Sequence, residues 1–302
     1  GWDRLRPGNV YAAEAAVRAP GADWAGLGVL GPDATATDAA ESHVAVAPGG
    51  LAVIVSKVRV DATHYRIDAL VRPSAGAAFG APEPVSTVPA LPASDVFSPR
   101  VAVDAQGNAI AAWKDDAAGT IKWSTRPAGG AWSSEAAVPG TPGANQLDLD
   151  VDAGGTAYLA FGTDFSGHDE IKASVRPPGG SWSATPQTLS APFDPPQAGV
   201  LPVPKVAAAD GWVGVVWVRW VTPDSRWVVE GTLRPPGGAG FPSATVLSGP
   251  IENRTGRTPG TAVAVRPGRA LAAWLTYAAA QGHAAQASTG TQAGWGAAQT
   301  LT

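Results

Sequence analysis

The stretch RPAGGAW at residues 126–132 decides the fold of this chain, because related copies of it recur along the sequence. The copies run from an arginine through proline, glycine or alanine to an aromatic residue, and they lie at 17–24, 71–79, 175–182 and 233–241, with a copy lacking the arginine at 289–295. Proline fixes φ and glycine supplies positive φ, so the phrase predicts a hairpin turn. The aromatic residue is expected to fill the gap between neighbouring sheets.

A second phrase precedes each of the later copies. It reads VAVDAQG at 101–107, and its relatives begin at 44, 149, 206 and 263, so that successive starts are 48 or 57 residues apart. Each unit therefore predicts four short strands, A to D. Strand B, such as NAIAAW at 108–113, is apolar on both faces and is expected to lie between neighbours. Strand C, such as GTIKWSTR at 119–126, alternates with period two, which is the strand signature.

Four-stranded sheets that repeat in this way predict an all-β protein, a β-propeller of four-stranded blades. We expect six blades with a degenerate first blade; a truncated larger ring is the alternative. The chain is expected to be one domain, residues 1–302, with A strands near 44–48, 101–105, 149–153, 206–210 and 263–267 lining a common axis. The predicted repeat units are 1–43, 44–100, 101–148, 149–205, 206–262 and 263–302.

One segment contradicts this pattern by composition. RALAAWLTYAAAQGHAAQA, at 269–287, is rich in alanine and would be assigned to a helix on propensity alone. The repeat register places it on strands B and C, and we follow the register.

Composition excludes several classes of function. The chain has 302 residues, is 45% hydrophobic and carries a net charge of −4, which disfavours nucleic-acid binding. There is no cysteine, so thiolate chemistry is excluded. Apolar runs such as WVGVVWV at 212–218 are too short to cross a bilayer, so no membrane insertion is expected. A cysteine-free chain rich in glycine and proline suits a bacterial protein that is secreted or on the cell surface.

The repeats resemble the propeller repeats of exported bacterial proteins of the sialidase and Asp-box kind. The resemblance rests on Asp104, Gly107 and Trp113 and on the equivalent Asp152. The spacing departs from the S-x-D-x-G-x-x-W pattern of an Asp box, and neither a FRIP-like motif nor an arginine triad is evident. The resemblance therefore implies the fold, and sialidase activity is not carried over.

The connections between strands B and C, and between strands D and A, vary in length and chemistry, as in GTDFSGHDE at 162–170 and the segments 86–99 and 248–260. Variable loops on a rigid scaffold are where binding usually occurs, so this long-loop face is the predicted binding face. The alternative is that these loops vary only because they tolerate variation. The short turns that follow Arg72, Arg126, Arg176 and Arg234 are expected to be structural.

Two tryptophans have no place in the repeat. Trp220 and Trp227 belong to VRWVTPDSRW at 218–227, a hairpin that is longer and more charged than KDDAAGT at 114–120. Aromatic faces beside charged groups suit stacking on sugars or peptides, so both residues are candidate ligand contacts. The alternative is local packing within the hairpin.

The residues that enter the A strands are further candidates, because they would surround the mouth of the channel. They are His43, Arg100, Asp148 and Lys205, and Asp150 adds a carboxylate where the other repeats have alanine. The alternatives are solvated strand ends and contact with channel water. The sequence indicates no metal site, since Asp148, Asp150 and Asp152 lack the spacing of an EF-hand, and it indicates no cofactor.

The function predicted from these residues is that of a non-catalytic, lectin-like binding module that recognises a glycan, another polar ligand or a cell-surface ligand through the long-loop face. The alternatives are a glycan-active hydrolase or lyase with a carboxylate pair at the channel mouth, and a structural or adhesive repeat segment of a surface protein. A carboxylate pair would draw on Asp148 or Asp150 with Asp115, Asp116 or Asp164.

Overall fold

The structure is a computed structural model that describes residues 2–6, 10–18, 23, 25–30, 39–61, 64–88, 96–165, 168–194, 203–222, 224–252, 259–278 and 282–301. Its regular elements are all strands, and they belong to two units, Gly1–Val138 and Pro139–Thr302. In these ranges there is no helix with the length and apolar character needed to cross a membrane. The predicted connections at 86–99 and 248–260 lie partly outside the described residues.

The first unit contains three antiparallel sheets. The first sheet has three strands, β1 (Trp2–Arg6), β2 (Val10–Val17) and β3 (Ala25–Leu30). The second sheet is formed by β4 (Ala39–Val46), β5 (Ala52–Arg59), β6 (Tyr65–Arg72) and β7 (Glu83–Pro84). The third sheet is formed by β8 (Val96–Val103), β9 (Ala109–Asp115), β10 (Thr120–Arg126) and β11 (Ala136–Ala137).

The second unit contains three more antiparallel sheets. The fourth sheet is formed by β12 (Ala144–Val151), β13 (Ala157–Phe165), β14 (His168–Arg176) and β15 (Gln187–Thr188). The fifth has β16 (Lys205–Ala209), β17 (Trp212–Val221), β18 (Arg226–Arg234) and β19 (Thr245–Val246), with β20 (Ile251–Glu252) also paired to β18. The sixth has β21 (Thr261–Arg266), β22 (Arg269–Ala278), β23 (Gly282–Thr291) and β24 (Gly294–Trp295), with β25 (Gln299–Leu301) also paired to β23.

The predicted fold class is confirmed. The second to sixth sheets each contain four strands in the sequential antiparallel order of a propeller blade, and the alanine-rich segment forms strands β22 and β23. The first sheet has three strands, as a shortened first repeat predicts. A count of six blades and the organisation of the whole chain as one domain stay predictions.

The predicted starts of three A strands are wrong. Strands β4, β8 and β12 begin five residues earlier than predicted, because each continues through an irregularity at which the pairing skips two residues. Glu41 and Ser98 lie in two of these β-bulges with φ of 55° and 51°. The Glu41 carboxylate accepts the Ser98 N–H at 2.6 Å, so one bulge is joined to the next.

The B strands form the core of their sheets, as their double-faced apolar pattern predicted. Trp113 on β9, Phe161 on β13 and Trp217 on β17 are fully buried at 0% exposure. In the fifth sheet the residue opposite Trp217 on β18 is Glu230, whose carboxylate accepts the indole N–H at 3.1 Å.

The repeated phrase that begins with RPAGG at 126–130 forms the predicted turn between strands C and D. Gly129, Gly179 and Gly237 have φ of 68°, 64° and 73°, and Gly130 donates its N–H to the Pro127 carbonyl at 2.9 Å. We call the sheet ends that carry these C–D turns and the A–B turns the turn ends. The opposite ends, where the β13–β14 and β17–β18 hairpins close, are the loop ends.

Candidate functional site

The two tryptophans predicted to bind a ligand are packed against each other in the fifth sheet. Trp220 on β17 lies opposite Trp227 on β18, and their ring centroids are 5.1 Å apart with planes at 68°. Trp227 is 0% exposed and Trp220 is 7% exposed. This arrangement is the one that the packing alternative predicts, and a role of the two rings in ligand binding stays a prediction.

The added length of the β17–β18 hairpin also has a structural role. Strand β20 pairs with the loop end of β18, with Ile251 opposite Trp227 and Glu252 opposite Arg226. Ile251 is buried in the same core cluster as both tryptophans. The added residues of this hairpin therefore support an extra strand.

Three of the predicted mouth residues join neighbouring sheets. Asp148 and Asp150 on β12 accept backbone N–H groups of β16, from Val206 at 3.0 Å and from Ala208 at 2.8 Å. In the first unit His43 Nδ1 on β4 accepts the Val101 N–H of β8 at 3.3 Å. These side chains connect the innermost strands of successive sheets.

Arg100 and Lys205 complete the predicted set. The Arg100 guanidinium donates to the Pro99 carbonyl at 2.9 Å, and Lys205 begins β16 opposite Val216. Asp148, Asp150 and Lys205 therefore share two adjacent strands, while Trp220 lies towards the loop end of the fifth sheet. The second unit does not bring its five predicted residues into one site, and their role as ligand contacts stays a prediction.

The loop end of the fourth sheet carries an acidic cluster. Asp169 on β14 lies opposite Asp164 on β13, and Asp169 and Phe193 exchange backbone hydrogen bonds of 2.8 and 3.0 Å. His168 Nδ1 is 2.5 Å from a carboxylate oxygen of Asp194, with both side chains exposed. Asp169 is only 3% exposed, and its Oδ2 has no hydrogen-bond partner among the residues described.

Burial raises the pKa of two carboxyl groups. It raises the pKa of Asp169 to about 6, with the nearby charges of Asp164 and Asp194 adding to the effect. It also raises the pKa of Asp150 to about 6, although two backbone N–H groups oppose the shift. Both groups are partly protonated in mildly acidic solution.

The raised pKa of Asp169 predicts a pH-dependent stability. The unfolded pKa of aspartate is about 3.9, so between pH 4 and 6 the folded state holds a proton that the unfolded state has lost. This contribution is complete below about pH 4 and is lost as pH rises through 6. Asp169→Asn removes it and should gain roughly 2–3 kcal/mol relative to the wild type between pH 4 and pH 7, measured by urea unfolding.

Asp116→Asn is the matched control, because Asp116 is an exposed carboxylate in the β9–β10 hairpin, at the repeat position of Asp164. Asp169→Asn should gain more than Asp116→Asn over the same pH range. An Asp169→Asn difference from the wild type that is constant between pH 4 and pH 7 would contradict the prediction.

The sequence does not reveal this cluster. The segment DFSGHDE, 164–170, contains two of the acids and the histidine, but only Asp164 stands out in it, as one candidate for a carboxylate pair. Asp194 lies 26 residues from His168 in the chain, and no local pattern connects them.

A cleft opens at the turn end of the second unit, between the fourth and fifth sheets. Its volume is about 490 Å³, within the range of roughly 300–1,000 Å³ usual for ligand pockets. We call it the Arg234 cleft, after the charged residue that lines it together with Thr156, Ser183, Thr185, Gln187 and Phe241. The cleft combines hydroxyl groups, an amide, a guanidinium and an aromatic residue.

The described part of the chain contains no group of three or more histidine, cysteine, aspartate or glutamate side chains arranged to hold a metal ion.

No protein-family model matches the chain, and no curated protein matches it either. Among solved structures it is similar to the Hadza microbial sialidase Hz136, at 12% identity and a TM-score of 0.48, over 86% of this chain and 58% of that one. It is similar to the polysaccharide lyase PL25 ulvan lyase at 12% and 0.48, over 84% and 64%. It is similar to a thermostable family-43 glycoside hydrolase at 12% and 0.45, over 89% and 94%.

The chain thus spans about three fifths of the length of the first two of these proteins. Similarities at this level identify no family. The β-propeller class of the chain rests on the strand order of its sheets.

Proposed function

We propose that the protein is a non-catalytic, lectin-like glycan-binding module of the β-propeller class. The observation that carries the proposal is the Arg234 cleft, a preformed concavity of about 490 Å³ whose lining includes Thr156, the exposed Thr185 and Ser183, the last bonded to the Val175 backbone. Sugar hydroxyls need hydrogen-bonding partners of this kind around a small apolar surface. The partly exposed Val175 and the exposed Pro177 supply that apolar surface.

The cleft is held rigid by contacts between the two sheets. The Gln187 amide of β15 donates to the Phe241 carbonyl at 2.7 Å and accepts the Phe241 N–H at 2.9 Å. A rigid site loses little conformational entropy on binding, which favours weak polar ligands such as glycans. The proposed site lies at a turn end, whereas the sequence predicts a site at the loop ends, where Trp220 and Trp227 are packed.

The test is a glycan-array screen of the intact chain, followed by calorimetric titration of the strongest hit with a variant that fills the cleft. Ala239 is exposed and lines the cleft, so Ala239→Trp should weaken binding at least tenfold while leaving the melting temperature unchanged. The loss is expected because the indole occupies the volume that the sugar would take.

The first unit supplies the matched control. It has a smaller cleft of about 350 Å³ that is lined by the exposed Ala128, and Ala128→Trp should leave the affinity unchanged. Equal weakening by both variants, full affinity of Ala239→Trp, or an array without a binding glycan would each overturn the proposal.

One observation favours a second candidate, a glycan-active hydrolase. Glycoside hydrolysis uses a carboxylic acid with a raised pKa beside a second carboxylate, and Asp169, with its pKa near 6, lies beside Asp164. The glycans that bind are therefore also assayed for release of reducing ends. Release that is lost in Asp169→Asn and in Asp164→Asn, with binding retained, would establish hydrolysis and contradict a purely binding role.

A further inference from the structure

The repeat places different residues at one position next to the C–D turn. Glu83 on β7 lies opposite Ala69, three residues before Arg72, and Gln187 on β15 lies opposite Ala173, three residues before Arg176. Glu83 and Gln187 therefore occupy the same place in their sheets. Each faces the turn arginine of the following sheet in its own unit.

In the first unit this position neutralises the arginine. Glu83 accepts hydrogen bonds from Arg126 Nε at 3.1 Å and from its terminal nitrogen at 3.4 Å. The cleft beside them, which Arg126 lines, therefore carries a paired cation.

In the second unit the same position leaves the arginine without a counter-charge. Gln187 is neutral, and both ends of its amide are bonded to the Phe241 backbone. Arg234 donates through Nε to the Gly238 carbonyl at 2.9 Å. One of its terminal nitrogens is buried with no hydrogen-bond partner, and none of the described carboxylates lies within ion-pair distance of it.

Two aromatic rings lie beside the Arg234 guanidinium. The guanidinium carbon lies 5.8 Å from the centre of the Tyr158 ring and 6.0 Å from that of Phe241. Aromatic rings on its flanks hold the guanidinium in place and displace water from it. A partly buried cation without an ion-pair partner is less stable than a paired one, so Arg234 favours an anion in the cleft.

We propose that the Arg234 cleft selects glycans that carry a carboxylate, such as oligosaccharides of uronic acids, with Arg234 pairing with the carboxylate. This inference rests on the proposed function and adds the charge of the ligand to it. Because Nε donates to Gly238 and Nη1 is buried, the carboxylate would be reached through Nη2, with a charge-assisted hydrogen bond from the fixed guanidinium. The exposed hydroxyl of Thr185 lies in the same lining and is available to the sugar.

Calorimetric titration tests this selectivity with a uronic-acid oligosaccharide and with the same oligosaccharide after reduction of its carboxyl groups to alcohols. The uronate should bind at least tenfold more tightly than its reduced form, and the difference should shrink as salt is raised. A sulfated neutral oligosaccharide of equal length is the third ligand; tighter binding of the sulfate than of the uronate would overturn the assignment to a carboxylate.

The informative variant is Gln187→Glu, which restores in the second unit the pair found between Glu83 and Arg126. It should abolish the preference for the uronate, lowering its affinity at least tenfold, while the affinity for the reduced ligand, which also registers the lost bond to the Phe241 carbonyl, should fall less. Arg234→Lys should also weaken the uronate at least tenfold, because a lysine ammonium lacks the planar group that Gly238 and the two rings hold in place. Arg126→Lys is the matched control and should leave both affinities unchanged.

Different results would overturn the carboxylate selectivity and glycan binding itself. Equal affinities for the uronate and its reduced form, both sensitive to Ala239→Trp, would overturn the carboxylate selectivity and leave glycan binding in place. Absence of binding by either ligand and by every glycan on the array would overturn the proposed function itself. If the circular dichroism spectrum of Gln187→Glu differs from that of the wild type, Arg234→Lys is the deciding variant. An unchanged affinity of Arg234→Lys for the uronate would then overturn the carboxylate selectivity.

Discussion

Trp227→Ala is expected to lower the free energy of unfolding by about 3–5 kcal/mol, the usual loss when a large aromatic side chain is removed from a core. Trp227 is 0% exposed, lies 5.1 Å from Trp220 and packs in a core cluster with Ile251. Alanine would leave a cavity between β17, β18 and β20 that the paired strands cannot close. Chemical unfolding followed by tryptophan fluorescence and circular dichroism measures the change.

Trp227→Phe is the control, because it keeps an aromatic ring in place. The Trp227 Nε1 is buried and bonds to none of the described residues, so phenylalanine loses no hydrogen bond there. We expect it to lose less than half of what alanine loses. If Trp227→Ala kept its stability and instead lost glycan binding, the ring would be a ligand contact, and the site predicted from the sequence would be restored.

The second large effect is expected at Glu230, which is 6% exposed on β18. Its carboxylate accepts the Trp217 indole N–H at 3.1 Å and the Arg219 Nε–H at 2.8 Å, and a terminal nitrogen of Arg219 lies 2.8 Å from the same oxygen. Glu230→Ala would leave a buried indole N–H and a largely buried guanidinium unpaired. Removing one partner of a buried ion pair costs about 3–5 kcal/mol, and we expect the lower end because Arg219 retains 22% exposure.

Two variants locate the origin of this loss. Glu230→Gln keeps an acceptor for Trp217 and removes the charge, so it should lose less than Glu230→Ala in the same unfolding experiment. Asp116→Ala removes one partner of an exposed pair with Lys114 at 2.7 Å and should cost at most about 1 kcal/mol. Equal stabilities of Glu230→Ala and Asp116→Ala would show that the buried pair contributes no more than an exposed one.

The fold was predictable because its signals are local and repeated. The glycines of the C–D turn and the apolar B strands recur with a fixed offset, and each copy supports the interpretation of the others. The segment 269–287 illustrates this strength. Its alanines favour a helix, but the register with four other repeats places it on strands, and β22 and β23 are the result.

The starts of the A strands were not predictable in the same way. The bulges at Glu41 and Ser98 depend on a left-handed backbone conformation. Glycine is the residue that usually marks this conformation in a sequence, and neither position has one. The side chains of His43 and Asp148 therefore looked like the first residues of their strands. They lie well inside β4 and β12, where they reach the next sheet.

The candidate site depended on contacts that are distant in the sequence. Trp220 and Trp227 stood out because they do not follow the repeat, but the strand that covers their end of the hairpin, β20, comes 24 residues after Trp227. The Arg234 cleft was missed for the opposite reason. Its arginine follows the repeat fully, and its distinction lies in Gln187, at a position whose partner appears only once the sheets are paired.

The bonds from Asp148 and Asp150 to β16 bear on how such a chain can change over time. The acceptors are side chains of one repeat, and the donors are backbone N–H groups of the next, at Val206 and Ala208. Every residue except proline carries that donor. The later repeat can therefore diverge, or be replaced by a duplicate of another repeat, without losing its attachment, while the earlier repeat must keep its two acids.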